Sequence, residues 1–204
     1  MTKTRNIYLL RHGKTVGKAA LNGSADIEVE QSEQQQIALE LMSFGVSFTQ
    51  VFSSPLKRCS ELAELVADRN NIPLHIVPEL QEMDFGDFDG VPFDELEQQW
   101  STLESIWLDP ANHTLPNAES LCGFRDRVVS GWTEVLSTES DNILVVTHGG
   151  VIRVLLAHLL DVDWQNPSRY SCLTIDNASV SQVQVMEADG KQYAAVKSVG
   201  LQLK

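Results

Sequence analysis

The chain has 204 residues and a formal net charge of -13, with 43% hydrophobic and 21% charged residues. A chain of about 200 residues is typical of one domain whose core needs no disulfide or metal, so we interpret residues 1–204 as a single domain. The acidic balance excludes a broad surface for nucleic acid or for anionic membranes, because the protein would repel both partners.

The sequence has no pattern typical of secretion or of membrane insertion. Its three cysteines, Cys59, Cys122 and Cys172, are widely spaced and form no C-x-x-C motif, which favours free thiols in a reducing compartment. The apolar run that follows Asn6 is too short for a signal-peptide core. No apolar run approaches the ~18–20 residues of a membrane span. We therefore predict a cytoplasmic protein that does not bind membranes.

Strand-like and helix-like segments alternate over the first three quarters of the chain. Short apolar runs predict buried strands, and apolar residues at helical spacing predict amphipathic helices. The expected strands lie at 7–10, 50–53, 74–77 and 143–146, and the expected helices lie at 33–44, 55–68 and 151–160. This alternation indicates β-α-β crossovers, and hence a mostly parallel sheet.

The C-terminal part follows a different pattern. Three strand-like runs, at 171–176, 179–186 and 193–199, have no helix between them and are separated by turn-forming residues, which predicts antiparallel strands. Residues 92–118 predict an insertion of short helices and loops. The expected fold class is α/β, with three layers: a mostly parallel central sheet, flanking helices and antiparallel C-terminal strands.

Two histidines stand directly after predicted buried strands. His12 and His148 would both lie at the carboxyl edge of the sheet, where open α/β sheets bind ligands. Glycines follow both histidines and permit close approach of the backbone, and the helix after His148 would direct free N–H groups at an anion. Arg11 and Arg58 add planar guanidinium groups suited to phosphate oxygens. Each feature alone is common in structural roles, but the combination predicts a phosphate pocket on an acidic protein.

Four stretches, in this order, resemble the motifs of the histidine phosphatase (phosphoglycerate-mutase-like) superfamily. They read LRHGKT at 10–15, SSPLKR at 53–58, ELQEMDFG at 79–86 and VVTHGG at 145–150. The resemblance covers most of the chain, from about Asn6 to Ile152. It implies a metal-independent phosphatase that requires no cofactor and acts on a small anionic phosphate ester.

The resemblance also implies a role for each matched residue. His12 would be the nucleophile that forms a phosphohistidine, and Glu82 would act as general acid and then as general base. Positive and polar groups would hold the phosphoryl oxygens in the transition state. The expected catalytic residues are His12, Glu82, His148, Arg11 and Arg58, and the expected phosphate- or substrate-binding residues are Arg11, Thr15, Arg58, His148 and Gly149.

Some positions depart from the family pattern. Lys14 stands where the family usually has glutamate, and Lys18 stands where it commonly has asparagine. Residues 29–37 match only part of the usual Leu-Thr-x-x-Gly-x-x-Gln-Ala stretch. We therefore expect an altered substrate entrance, and we assign no binding role to Asn22, Gly23 or Gln36.

Residues 76–86 resemble those of alpha-ribazole-5'-phosphate phosphatases of cobalamin biosynthesis, and this activity is the first hypothesis. The alternatives are a broad-specificity sugar-phosphate phosphatase and, less favoured, a catalytically silent acidic binding module. We interpret Asp84, Asp87 and Asp89 as a solvated acidic loop rather than a metal site. His113, in the insertion, is a candidate for substrate contact. The sequence leaves the oligomeric state open.

Overall fold

A computed structural model describes residues 3–203 of the chain, which form strands and helices in alternation. None of the helices in this range is both long and apolar enough to cross a membrane. The strands are β1 (Lys3–Arg11), β2 (Gln50–Ser53), β3 (Leu74–Ile76), β4 (Asn142–Thr147), β5 (Ser179–Ala188) and β6 (Lys191–Gln202). The helices are α1 (Gln31–Ser43), α2 (Lys57–Asn70), α3 (Trp100–Leu108), α4 (Leu121–Ser137), α5 (Gly149–Leu159) and α6 (Ser168–Cys172).

The strands form a single six-stranded sheet in the order β3-β2-β4-β1-β5-β6. Strands β1 to β4 are parallel to one another, whereas β5 runs antiparallel to both β1 and β6. The structure confirms the predicted fold class: a mostly parallel sheet that ends in antiparallel C-terminal strands.

Strand β1 lies in the middle of the sheet and is covered on both faces. Ile7 and Leu9 pack into a core with α4 and α5, whereas Tyr8 and Leu10 pack into a second core with α1 and α2. Successive side chains of a strand point to opposite faces, so a strand buried on both sides reads as a continuous apolar run. This explains why the run at 7–10 is apolar throughout, and it gives the fold its three layers.

One predicted strand is wrong. The segment predicted as a strand at 171–176 forms the end of α6 and a loop rather than a strand. The carbonyl oxygens of Leu173 and Ile175 accept hydrogen bonds from two arginine side chains instead of pairing with a neighbouring strand. The backbone of this segment is therefore held by hydrogen bonds from arginine side chains in other parts of the fold.

Helix α4 was not among the predicted elements. Ser120 caps its N-terminus by accepting a hydrogen bond from the backbone N–H of Gly123. A Cβ atom at Gly131 would lie 2.8 Å from the Cβ of Glu79, so this glycine lets the helix pack closely on the 3₁₀ turn at Pro78–Leu80. The buried residues of the helix follow helical spacing: Leu121, Phe124, Val128, Gly131, Trp132 and Val135.

The segment at 92–118 folds into two 3₁₀ turns, helix α3 and connecting loops. It contributes to a small separate core of Phe88, Leu96, Leu103 and Leu115. A salt bridge of 2.8 Å joins Lys18 to Asp94 and ties this segment to the loop after β1. The segment therefore lies beside the carboxyl edge of the sheet.

Candidate active site

The sheet register brings His12 and His148 together. Strands β1 and β4 are adjacent and parallel, and Arg11 is paired with Thr147. The two histidines are the next residues on neighbouring strands, and their ring centroids lie 5.2 Å apart. This is the juxtaposition that the sequence predicts at the carboxyl edge of the sheet.

The contacts of His12 define its tautomer. Its Nδ1 lies 2.7 Å from the carbonyl oxygen of Gly13, which can only accept a hydrogen bond, so Nδ1 carries the proton and Nε2 keeps a free lone pair. Burial, together with the charges of Arg58 and Arg11, lowers the pKa of His12 to about 3. The ring is therefore neutral at pH 7, as a nucleophilic imidazole must be.

His148 is fully buried beside His12 and is held from two sides. The Nε–H of Arg58 donates to its Nδ1 at 3.3 Å, so its Nε2 is protonated and donates to Oγ of Ser54 at 2.8 Å. Burial, and secondarily the neighbouring His12 and arginines, lowers its pKa well below the ordinary histidine value. His148 is thus a neutral ring that connects β2, β4 and Arg58.

Arg58 is buried, but most of its hydrogen bonds go to the backbone. Nη1 donates to the carbonyl oxygen of Ala25 at 2.7 Å, and Nη2 donates to those of Asn22 and Gly23 at 3.2 and 2.6 Å. The sequence predicts that this guanidinium faces the phosphate. The structure places it next to both histidines and also gives it a second task, which is to hold the loop at 22–25 against the site.

We expect Arg58→Lys to reduce both activity and stability. A lysine keeps the charge but cannot satisfy three carbonyl oxygens and His148 at once. The loss in kcat/KM on phenyl phosphate should be at least about tenfold, and urea unfolding should show a loss of about 1–3 kcal/mol. Arg69→Lys, an exposed change on the same helix, is the matched control. Unchanged kinetics and stability in Arg58→Lys would contradict both tasks.

Arg11 reaches the opposite side of the site. Its Nη1 donates to the carbonyl oxygen of Ile175 at 2.5 Å, and within residues 3–203 its buried Nε has no hydrogen-bond partner. Burial lowers its pKa from the ordinary value, and the charge of Glu82 opposes that effect. Arg11 therefore offers a fixed cation with unused donor capacity close to His12.

Glu82 is anchored at the start of helix α5. Its Oε2 accepts a hydrogen bond from the backbone N–H of Gly150 at 2.9 Å, and its Oε1 accepts one from Met83 at 3.0 Å. A Cβ atom at Gly150 would lie only 2.2 Å from Oε1, so a glycine is needed for this approach. The second glycine of the VVTHGG motif thus makes room for the carboxylate.

A second set of contacts fixes the backbone that carries Glu82. Arg127, on helix α4, donates to the carbonyl oxygens of Glu79, Gln81 and Glu82. Its guanidinium also makes two hydrogen bonds to the carboxylate of Glu119. The Oγ1 of Thr147 donates to the carbonyl oxygen of Leu80 at 2.9 Å, so the segment is held from α4 and from β4.

Two cavities open at this edge of the sheet. The first, which we call the basic cavity, has a volume of about 510 Å³. The second, which we call the apolar cavity, has a volume of about 470 Å³. Leu21, Glu82 and Phe85 line both. The basic cavity is also lined by Arg11, His12, Lys14, Thr15, Lys18 and Asn177, and the apolar cavity by Met83, Leu103, Trp107, His113, Phe124 and Arg153, among others.

The two cavities separate the residues expected from the sequence. Arg11, His12, Thr15 and Glu82 line the basic cavity, whereas Arg58, His148 and Gly149 are not among its lining residues. Asn22, to which the sequence assigns no role, lines this cavity and donates to Oγ1 of Thr15 at 3.3 Å. Gln36 is exposed on α1 and bonds Glu40. His113 lines the apolar cavity.

Three residues of the site were not foreseen. Arg153 lines the apolar cavity, Arg127 holds the Glu82 segment, and Asn177 donates to the carbonyl oxygens of His12 and Gly13 at 3.1 and 3.0 Å. Of these three, only Asn177 has a partial signal in the sequence, because asparagines in turns commonly bind nearby backbone groups. An arginine on an amphipathic helix looks the same whether it faces solvent or a cavity.

The acidic loop at 84–89 is structural in part. Asp89 accepts hydrogen bonds from the backbone N–H groups of Gly23, Ser24, Ala25 and Phe85, so the prediction of a purely solvated loop is wrong for this residue. Carboxylates readily accept several N–H donors in such turns. Across residues 3–203, no group of three or more His, Cys, Asp or Glu side chains is placed to hold a metal ion.

The sequence also matches a known family over almost its whole length. Residues 7–197 match the family described as "Histidine phosphatase superfamily (branch 1)". The chain belongs to this superfamily. The match includes the two arginines, both histidines and the glutamate of the site, and the fold agrees with the resemblance seen in the motifs.

Related histidine phosphatases carry several different names. The adenosylcobalamin/alpha-ribazole phosphatase of Escherichia coli K12 is 33% identical over 160 residues, which is 76% of this chain and 78% of that protein. The 2-carboxy-D-arabinitol-1-phosphatase of Triticum aestivum is 28% identical over 162 residues, 77% of this chain and 33% of that protein.

A solved structure shares the fold. That of mycobacterial glucosyl-3-phosphoglycerate phosphatase has a TM-score of 0.84 at 20% identity and covers 98% of this chain and 100% of its own. The same mycobacterial enzyme has also been solved with inorganic phosphate. The family match and the relative from Escherichia coli make this chain a phosphatase of the histidine phosphatase superfamily, and the relatives named here differ in the alcohol part of the ester that their names specify.

Proposed function

We propose that this protein is a phosphomonoesterase that works through a phosphohistidine at His12 and prefers esters with a large apolar alcohol part. Alpha-ribazole-5'-phosphate is the first candidate, which would give the enzyme a role in cobalamin biosynthesis. The observation that carries the proposal is the position of Glu82, which lines both the basic cavity and the apolar cavity. A phosphate beside His12 and an alcohol part in the apolar cavity would place the ester oxygen next to this carboxyl group.

The chemistry then follows in two steps. Nε2 of His12 attacks phosphorus, the bond from phosphorus to the ester oxygen breaks, and Glu82 gives a proton to the leaving alkoxide. Water then attacks the phosphohistidine, the P–N bond breaks, and Glu82 accepts the proton of that water. Orthophosphate and the alcohol are the products. In this proposal Arg11 and Arg58 supply the positive charge for the phosphoryl oxygens, and no metal or cofactor is required.

The apolar cavity supports an aromatic alcohol part. Most of its lining side chains are apolar, and Phe85, Trp107 and Phe124 are aromatic. Flat aromatic groups gain both from burial and from ring–ring contacts, about 0.5–1.5 kcal/mol for each pair. Alpha-ribazole carries a benzimidazole, which suits these walls better than an unsubstituted sugar does.

A broad-specificity sugar-phosphate phosphatase is the second candidate. His113, Thr114 and Arg153 bring hydrogen-bonding groups into the same cavity, and sugar hydroxyl groups could use them.

In residues 3–203 the cysteines Cys59, Cys122 and Cys172 are free thiols. Free thiols suit a reducing compartment, which supports the cytoplasm as the location.

The deciding experiment compares kcat/KM on alpha-ribazole-5'-phosphate with that on ribose 5-phosphate, which lacks the benzimidazole. We expect a preference of at least about tenfold for the aromatic substrate, and Trp107→Ala should remove most of it. Trp100→Ala, a neighbouring tryptophan outside the cavity wall, is the control. Equal rates on the two esters would favour the broad phosphatase. Absence of turnover on every ester would favour the silent binding module.

A further inference from the structure

Arg153 is a cation in the wall of an otherwise mostly apolar cavity. It lies on helix α5, one turn after Gly149, and its Nε donates to the carbonyl oxygen of Leu173 at 2.8 Å. That bond fixes the plane of the guanidinium. Among the described residues, its Nη1 and Nη2 groups have no hydrogen-bond partner. The side chain therefore presents unused donors in a fixed orientation.

The position of Arg153 relative to the phosphate-binding side is defined by Gly149. A Cβ atom at Gly149 would lie 3.2 Å from Nη1 of Arg153 and 3.4 Å from Nε of Arg11. Both guanidinium groups therefore lie close to this glycine and to each other. Glu82 lines the apolar cavity together with Arg153. Burial lowers the pKa of Arg153 from the ordinary value, and the charge of Glu82 opposes that effect.

We propose that Arg153 is a substrate-binding residue that recognises an oxygen acceptor on the alcohol part of the ester, two or three bonds from the ester oxygen. The proposal rests on the proposed function only in that it places the phosphate beside Arg11 and His12. A carboxylate, a hydroxyl group or a sugar ring oxygen at that distance from the ester would reach the free side of the guanidinium. Arg153 would then orient the alcohol part while its apolar remainder fills the cavity.

The physical argument is the free-energy cost of a partly buried cation whose Nη groups donate no hydrogen bond within the described part of the chain. A guanidinium that faces apolar walls loses hydration without gaining hydrogen bonds. An acceptor on the ligand would offset that loss by accepting hydrogen bonds from the guanidinium. A planar fork also binds a carboxylate through two parallel hydrogen bonds, whereas a hydroxyl or ring oxygen receives one. A carboxylate should therefore gain more from Arg153 than a neutral oxygen does.

The test uses three non-hydrolysable phosphonates of similar size, so that binding is measured independently of turnover. They are 3-phosphonopropionate with a carboxylate, 3-hydroxypropylphosphonate with a hydroxyl group, and butylphosphonate with neither. Calorimetric Kd values are compared for the wild type, Arg153→Met and Arg153→Lys. Arg125→Met, which removes a surface arginine stacked on Trp164, is the matched control.

We expect the wild type to bind the carboxylate about tenfold or more tightly than butylphosphonate, with the hydroxyl compound between them. Arg153→Met should abolish this order, with the largest loss in affinity for the carboxylate compound and the smallest for butylphosphonate, and Arg153→Lys should keep part of it. Arg125→Met should match the wild type. Absence of the preference in the wild type, or its persistence in Arg153→Met, would overturn the proposal.

Further results distinguish failure of the Arg153 proposal from failure of the proposed phosphatase function. An equal loss on all three phosphonates in Arg153→Met would show that the arginine acts only through Leu173 or Glu82, and this would also overturn the proposal. Arg153→Lys provides the same comparison if the methionine variant fails to fold. The proposed phosphatase function is decided separately, by turnover of phenyl phosphate in the wild type.

Discussion

Replacing His12 with alanine should abolish turnover, with a loss in kcat on the order of 10⁴-fold or more. The expectation follows from the contacts of the ring. Nδ1 is committed to the carbonyl oxygen of Gly13, the pKa is lowered to about 3, and the ring lines the basic cavity. A neutral imidazole with a free Nε2 is the group in this cavity best suited to attack phosphorus, and alanine offers nothing in its place.

The measurement is rapid quenching after mixing with phosphate-labelled ester. The wild type should accumulate an acid-labile label on the protein, and His12→Ala should accumulate none. His75→Ala is the matched control, because His75 is an exposed histidine on strand β3 that stacks on Phe52 away from both cavities. Near-wild-type rates in His12→Ala, or labelling that persists, would rule out the phosphohistidine mechanism.

Glu82→Gln should slow the hydrolysis of alkyl phosphates by about 10²–10⁴-fold, the usual share of general acid catalysis. The amide is nearly isosteric, and its oxygen can still accept the hydrogen bond from Gly150, whereas its NH2 group gives up the one from Met83. The side chain should therefore stay at the start of α5 while the transferable proton is lost. A leaving alkoxide is strongly basic and requires that proton. The p-nitrophenolate ion departs without one, so p-nitrophenyl phosphate should lose much less in the phosphorylation step.

Single-turnover phosphorylation on both esters makes the comparison. Asp84→Asn is the control, because Asp84 lies two residues away and its carboxylate accepts hydrogen bonds from Gly86 in its own loop and from Ser24 in the loop at 22–25. Equal losses on the two leaving groups in Glu82→Gln would refute the acid role. A selective loss in Asp84→Asn instead would move that role to Asp84.

The sequence predicts the part of this fold that depends on local pattern. Apolar runs predict strands β1 to β4, and the register of β1 with β4 then brings His12 next to His148. Helix α4 was missed because its two glycines weaken a helical pattern that its buried positions otherwise show. The segment at 171–176 was wrongly predicted as a strand. It is apolar, but its carbonyl oxygens accept hydrogen bonds from arginine side chains instead of from a neighbouring strand.

The contacts of the site depend on the tertiary structure, and the sequence pattern does not contain them. The motif match places Arg58 at the site, but nothing in the SSPLKR stretch shows that the loop at 22–25 takes up most of its donors. Likewise, Arg153 looks like an ordinary helix arginine until the loop after α6 supplies a carbonyl for its Nε. Such assignments require the path of loops that are distant in sequence.

The loop that carries His12 is held by residues that are distant from it in the sequence. The side-chain amide of Asn177 donates to the carbonyl oxygens of His12 and Gly13. The backbone N–H of Ala178 lies 3.1 Å from the carbonyl oxygens of Arg11 and His12. Strand β5 then pairs along β1. During synthesis, β1 must wait until β5 (Ser179–Ala188) has been made before its second edge is covered. Pairings between segments that are distant in sequence also form slowly. A growing polypeptide should therefore hydrolyse no ester until Asn177 and β5 have left the ribosome, because until then nothing holds the backbone of His12 and Gly13 from that side.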